Sequence, residues 1–127
     1  MSETMSSQLP YVAIVDDDAS VRTALSRLLN ACDFKPQAYP SAGKFLQSLA
    51  DVRPECLILD LQMPEMSGFD LHCELLRAGL NIPTIVITAN HDQGRRERFR
   101  ATGAEYLLKP LDQATLISAI KRMIERR

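Results

Sequence analysis

Two kinds of apolar pattern alternate along this chain. Residues 11–15 (YVAIV), 56–59 (CLIL) and 106–108 (YLL) are short unbroken apolar runs, and 84–88 (TIVIT) is β-branched throughout; these are the marks of strands covered on both faces. A weaker run at 35–39 (KPQAY) fits a sheet edge, where Pro36 is tolerated. Between the runs the spacing turns helical. Val21, Ala24, Leu25, Leu28 and Leu29 recur at i, i+3, i+4, i+7 and i+8 and form one apolar face. Ser41 reads as the N-cap of a second helix with Phe45, Leu46 and Leu49 inward. Leu71, Leu75 and Leu76 give the inner face of a third, which Gly79 can stop. Residues 92–101 (DQGRRERFRA) can form a fourth helix, but only Phe99 and Ala101 offer apolar contact, so a marginal and mobile element is expected. Asp112 caps a last helix whose wide apolar face is Leu116, Ile117, Ile120, Met123 and Ile124.

Five strand–helix units imply an α/β fold, a (βα)5 doubly wound parallel five-stranded sheet, because right-handed crossovers put helices on both faces. Five units suit the flavodoxin-like strand order 2-1-3-4-5, in which ligands sit beyond the carboxyl ends of the strands, near the switch point between the first and third. What ends each central strand is therefore informative. The first ends in Asp16 and Asp17, the third in Asp60, the fourth in Thr88 and the fifth in Lys109.

The length of 127 residues fits a single domain, taken as residues 11–127, after a polar and flexible tail over residues 1–10 that lacks the apolar core of a secretory signal. A net charge of −1 argues against direct nucleic-acid binding by this chain. No apolar run approaches the roughly 20 residues of a membrane span. Cys32, Cys56 and Cys73 are odd in number and lack CxxC spacing, which points to reduced thiols and a cytoplasmic setting.

Like charges crowd this rim. Two carboxylates ~4 Å apart repel by roughly 4 kcal/mol at an effective dielectric near 20. A hard divalent cation, Mg²⁺ or Mn²⁺ in its place, resolves the excess, since Mg²⁺ prefers oxygen ligands and shares its shell with phosphate oxygens. With such an ion a carboxylate can act as a nucleophile and form an aspartyl phosphate. Thr88 could then donate to one phosphoryl oxygen and Lys109 pair with another. Simpler roles exist: Asp18 is best read as a plain helix cap, the arginines 95, 96, 98 and 100 as a solvated face, and His72 and His91 as ordinary polar residues.

The motifs VDDD after the first strand, LILDLQMPEMSG, ITAN and YLLKP occur in an order and spacing that resembles the receiver domain of two-component response regulators, a CheY-like family. The first forty residues are most similar to receivers of the FixJ/NarL type. The resemblance implies Asp60 as phosphoacceptor, Asp16, Asp17 and the backbone carbonyl of Gln62 as further metal ligands, Thr88 and Lys109 as phosphate-sensing groups and Tyr106 as an aromatic that changes rotamer on activation. It implies a cis Lys109–Pro110 bond, and roles for Gln62 and Asn90 in tuning hydrolysis. The implied partner is a sensor histidine kinase or phosphotransfer protein, with output through the face of helix four, strand five and helix five. A homodimer through that face and a C-terminal DNA-binding effector domain lying outside this chain are the further expectations. Two other functions compete. A Mg²⁺-dependent aspartyl-phosphate phosphohydrolase of the haloacid-dehalogenase type would want an Asp where Gln62 stands. A flavin module would want a glycine-rich phosphate loop where three carboxylates stand.

Overall fold

The structure, a computed structural model, describes residues 9–63, 66–89 and 92–125. Among these, strands β1 (Tyr11–Val15), β2 (Lys35–Tyr39), β3 (Cys56–Asp60), β4 (Thr84–Thr88) and β5 (Glu105–Leu108) alternate with helices α1 (Ala19–Ala31), α2 (Ala42–Ser48), α3 (Gly68–Arg77), α4 (Gln93–Ala101) and α5 (Gln113–Glu125). All neighbouring strands pair in parallel in the order β2-β1-β3-β4-β5, the arrangement expected from the sequence, with the Pro36-bearing strand at an edge.

Side-chain alternation along the strands divides the core. Val12, Ile14, Ile58, Ile85 and Ile87 meet Leu25, Leu29, Leu116 and Ile120 of α1 and α5. Ala13, Val15, Leu57 and Leu59 meet Phe45, Leu71 and Leu75 of α2 and α3 on the other side. A smaller cluster of Val86, Phe99, Ala104 and Tyr106 attaches α4. Each helix opens on a side-chain cap. Asp18, Ser41, Ser67, Asp92 and Asp112 accept from the amides of Ser20, Lys44, Asp70, Arg95 and Thr115. Such caps are worth about 1 kcal/mol each. The capping role read for Asp18 therefore holds.

Three apolar-face assignments are corrected. Ala24 of α1 is exposed. Leu76 is 43% exposed. Helix α3 begins at Gly68 and turns Gly68, Leu71, His72 and Leu75 inward, a spacing that rotates Leu76 onto the flank and buries a histidine instead. Ala101 is exposed, because it sits two residues past Phe99, on the opposite side of α4. The cysteines are free thiols; Cys56 is buried, and burial pushes its thiol up to about 12. Among the described residues, no helix is long and apolar enough to cross a membrane.

Candidate functional site

Strand register assembles the rim. Val15 pairs with Leu59 and Asp60 with Ile87, so Asp16 and Asp60 stand level at adjacent strand ends. Thr88 pairs with Leu108, and the ladder runs one step further, with the Lys109 amide donating to the Thr88 carbonyl at 2.8 Å. One carboxylate oxygen from each of Asp16, Asp17 and Asp60 lies within 4.8 Å of the others. Lys109 Nζ is 3.8 Å from Asp60 Oδ1, within ion-pair range and too long for a hydrogen bond. Thr88, at the end of β4, is buried. The Lys109–Pro110 peptide is cis, as the resemblance implies.

The electrostatics are those of a crowded anionic site. Asp16 and Asp60 are only 3% and 6% exposed. Both carboxyls are raised above the usual range. Burial is the main cause for each; Asp16 adds to the shift at Asp60, and Lys109 opposes both. The three carboxylates offer an oxygen-only donor set close enough to converge on a single hard dication. The Asp18 amide donates to Asp16 Oδ1 at 2.9 Å and the Gln62 amide to Asp60 Oδ1 at 3.4 Å, which fixes both carboxylates from below.

Two residues the sequence reading passed over support this rim. Arg22 Nη1 donates to the Asp16 carbonyl at 2.7 Å and ties the end of β1 to α1. Gly68 closes the LILDLQMPEMSG motif. A Cβ there would lie 2.4 Å from the Asp60 carbonyl oxygen and 2.9 Å from the Leu61 Cα. Only glycine lets α3 start so close to the strand that carries Asp60. Its amide also donates to the Leu61 carbonyl at 3.2 Å.

Tyr106 is 5% exposed and sits in the α4 cluster rather than in solvent. Its ring centroid is 6.1 Å from that of Phe99, which also packs edge-on against Phe69 at 5.5 Å and against the His72 ring at 5.2 Å. His72 is not an ordinary surface residue. The Thr102 hydroxyl spends its one proton on the Phe99 carbonyl, at 2.6 Å, and so accepts from His72 Nε2 at 2.8 Å. This hydrogen bond joins α3 to the C-cap of α4. Burial lowers the His72 pKa. Asn90 and His91, and residues 1–8 of the tail, lie outside the described residues.

Residues 12–121 match a family described as the response regulator receiver domain. The transcriptional regulatory protein FixJ of Rhizobium meliloti is 38% identical over 115 residues, covering 90% of this chain and 56% of FixJ. The response regulator protein TmoT of Ectopseudomonas mendocina is 34% identical over 122 residues, covering 95% of this chain and 56% of TmoT. The chain thus spans just over half the length of these curated relatives. The crystal structure of FixJ-N, 37% identical, superposes with a TM-score of 0.85 over 94% of this chain and 97% of that one.

Proposed function

We propose that this chain, which belongs to the response regulator receiver domains and is a phosphorylatable domain of two-component signalling, takes its phosphoryl group on Asp60. The observation that carries the assignment is the meeting of three carboxylates with Lys109 at one strand-end rim. Asp60 is the buried carboxylate with a cation beside it, and the Gln62 amide anchors it. An Asp60 carboxylate oxygen attacks the phosphorus of a phosphohistidine on a sensor kinase or phosphotransfer protein. A P–O bond forms as the P–N bond breaks, and the imidazole leaves with the electron pair.

Asp16, Asp17, Asp60 and the Gln62 carbonyl would hold Mg²⁺ or Mn²⁺, which when bound neutralises charge on the phosphoryl oxygens. Lys109 pairs with one phosphoryl oxygen, and the Thr88 hydroxyl donates to another. Thr88 moves toward the phosphoryl group and Tyr106 follows, biasing a two-state equilibrium of α4, β5 and α5. Gln62 and Asn90 flank the approach of the hydrolytic water and set the lifetime of the acyl phosphate. The domain acts as a cytoplasmic switch that catalyses only its own phosphorylation and dephosphorylation. A DNA-binding effector domain outside this chain fits the described role of FixJ as a transcriptional regulator.

The test is incubation with acetyl phosphate and Mg²⁺, followed by intact-mass measurement. One acid-labile phosphoryl adduct is expected, abolished in Asp60→Asn and by excess EDTA. An equal adduct in Asp60→Asn overturns the assignment of the acceptor, and an equal adduct in EDTA overturns the metal's part in transfer.

A further inference from the structure

Asp16 and Asp17 are neighbours in sequence, and neighbours in an extended chain send their side chains to opposite faces of a sheet. Here a carboxylate oxygen of each lies within 4.8 Å of the other and of one from Asp60. The peptide that joins them therefore leaves strand geometry, and the chain bends at Asp17, just past the end of β1. Asp16 is held at its amide, its side chain and its carbonyl. The amide donates to the Tyr39 carbonyl at 3.2 Å, Oδ1 accepts from the Asp18 amide at 2.9 Å, and the carbonyl accepts from Arg22 Nη1 at 2.7 Å. The carbonyl belongs to the peptide shared with Asp17. Asp17 is exposed, so the direction of its carboxylate is set by the backbone that carries it. Arg22 is well placed to reach this carbonyl. Its own amide donates to the Asp18 carbonyl at 3.0 Å, which puts it at the end of the first turn of α1. Side chains on a helix lean toward its N-terminus, so the guanidinium returns over the 16–18 turn. Arg22 thus holds that turn at both ends, Asp18 by its main chain and Asp16 by its side chain. Helix stability alone does not call for a base here, since the N-terminal turn favours acids.

We propose that Arg22 is a positioning residue of the cation site: its hydrogen bond to the Asp16 carbonyl sets the plane of the Asp16–Asp17 peptide and so aims two successive carboxylates at one divalent ion. This role rests on the metal ligands proposed above. Groups that orient ligands from behind the coordinating atoms govern affinity, and their loss typically weakens metal binding by roughly 10- to 100-fold. Hydrogen bonds from a guanidinium are shorter and stronger than neutral ones, and 2.7 Å is at the short end of their range. The charge of Arg22 acts in the opposite sense. A guanidinium at this turn repels an approaching dication, so removing the charge alone would tighten binding. Position and charge thus predict changes of opposite sign in metal affinity. Anchoring of α1 alone predicts neither, since stability would fall with affinity unchanged.

The test is a titration of the full chain, ¹⁵N-labelled, with MgCl₂, followed at the backbone amides of residues 16–18, with the melting temperature in EDTA measured beside it. Arg22→Met, which keeps the apolar stem, is expected to raise the Mg²⁺ dissociation constant about tenfold. Arg22→Gln, the milder change, has a donor that stops short of the carbonyl; it is expected to weaken binding too, and it decides the matter where the methionine variant does not fold. Arg27→Met removes the same charge from an exposed position on the same helix and is expected to change the constant by less than about twofold. Wild-type or tighter binding in the folded Arg22 variants overturns the positioning role, as does equal weakening in Arg27→Met. A melting temperature that falls in EDTA while the dissociation constant holds overturns it in favour of a plain anchor of α1. Asp17→Asn separates this role from the ligand assignment, because its Mg²⁺ binding is expected to be lost. If Asp17→Asn binds like wild type, the ligand set fails and the role of Arg22 with it. If Asp17→Asn loses binding while Arg22→Met binds like wild type, the role of Arg22 alone fails.

Discussion

Helices α4 and α5 flank the same strand, β5, and are held to the domain in opposite ways. Helix α5 buries Leu116, Ala119, Ile120 and Met123, four side chains spread over two turns. Helix α4 buries Phe99 alone, and its last turn is held by Thr102, through the bond from His72. A helix held at many points moves with the core. A helix held mainly at one buried aromatic and one hydrogen bond, with Arg98 lying over the Phe69 ring at its surface, can be repositioned by changes at those points while the sheet that carries the carboxylates stays fixed. Both attachments of α4 lead toward the rim: Phe99 touches Tyr106, and His72 belongs to α3, whose first residue abuts the strand end of Asp60.

The difference can be broken by truncation. Ile120→Ala is expected to lower global stability by about 3 kcal/mol in urea unfolding, the usual cost of a buried cavity of that size. Phe99→Ala removes a larger side chain but is expected to cost the global transition less, with the amides of α4 alone exchanging rapidly, because α4 can part from the sheet without unfolding it. Equal costs, with no local exchange, would show α4 to be as integral as α5.

A smaller effect sharpens the comparison through pH. The His72 pKa is lowered by burial, so the folded chain binds this proton more weakly than the unfolded one, in which imidazole titrates near ~6.5. The stabilisation is therefore complete above that pH and is lost as pH falls below it. Between pH 7.5 and 5.5, wild type is expected to lose more stability in urea unfolding than His72→Gln. Parallel pH profiles for the two proteins would remove His72 as an anchor of α4.

The parts of the molecule legible in the sequence are those set by short-range pattern. Unbroken apolar runs fixed the strands, and parallel order then brought Asp16, Asp60, Thr88 and Lys109 to one edge without any contact being known. The illegible parts depend on distance between elements. Gly68 matters because of the Asp60 carbonyl beneath it, and Arg22 because its side chain reaches back six residues to a strand-end carbonyl. His72 lies on the inward arc of α3, but leucines at 71, 75 and 76 made the arc look centred one position away. Its partner, Thr102, is thirty residues on, which no local period can announce.

On the function proposed above, a charge at Asp60 is read by the weakly held side of β5. The most direct test is amide hydrogen exchange of the chain with Mg²⁺, before and after acetyl phosphate, with Asp60→Asn as the reference. Protection is predicted to change in α4 and β5, to stay constant in β1 and in the buried turns of α5, and to be unaltered everywhere in Asp60→Asn. A uniform change across the sheet, or the same α4 response in Asp60→Asn, would contradict it.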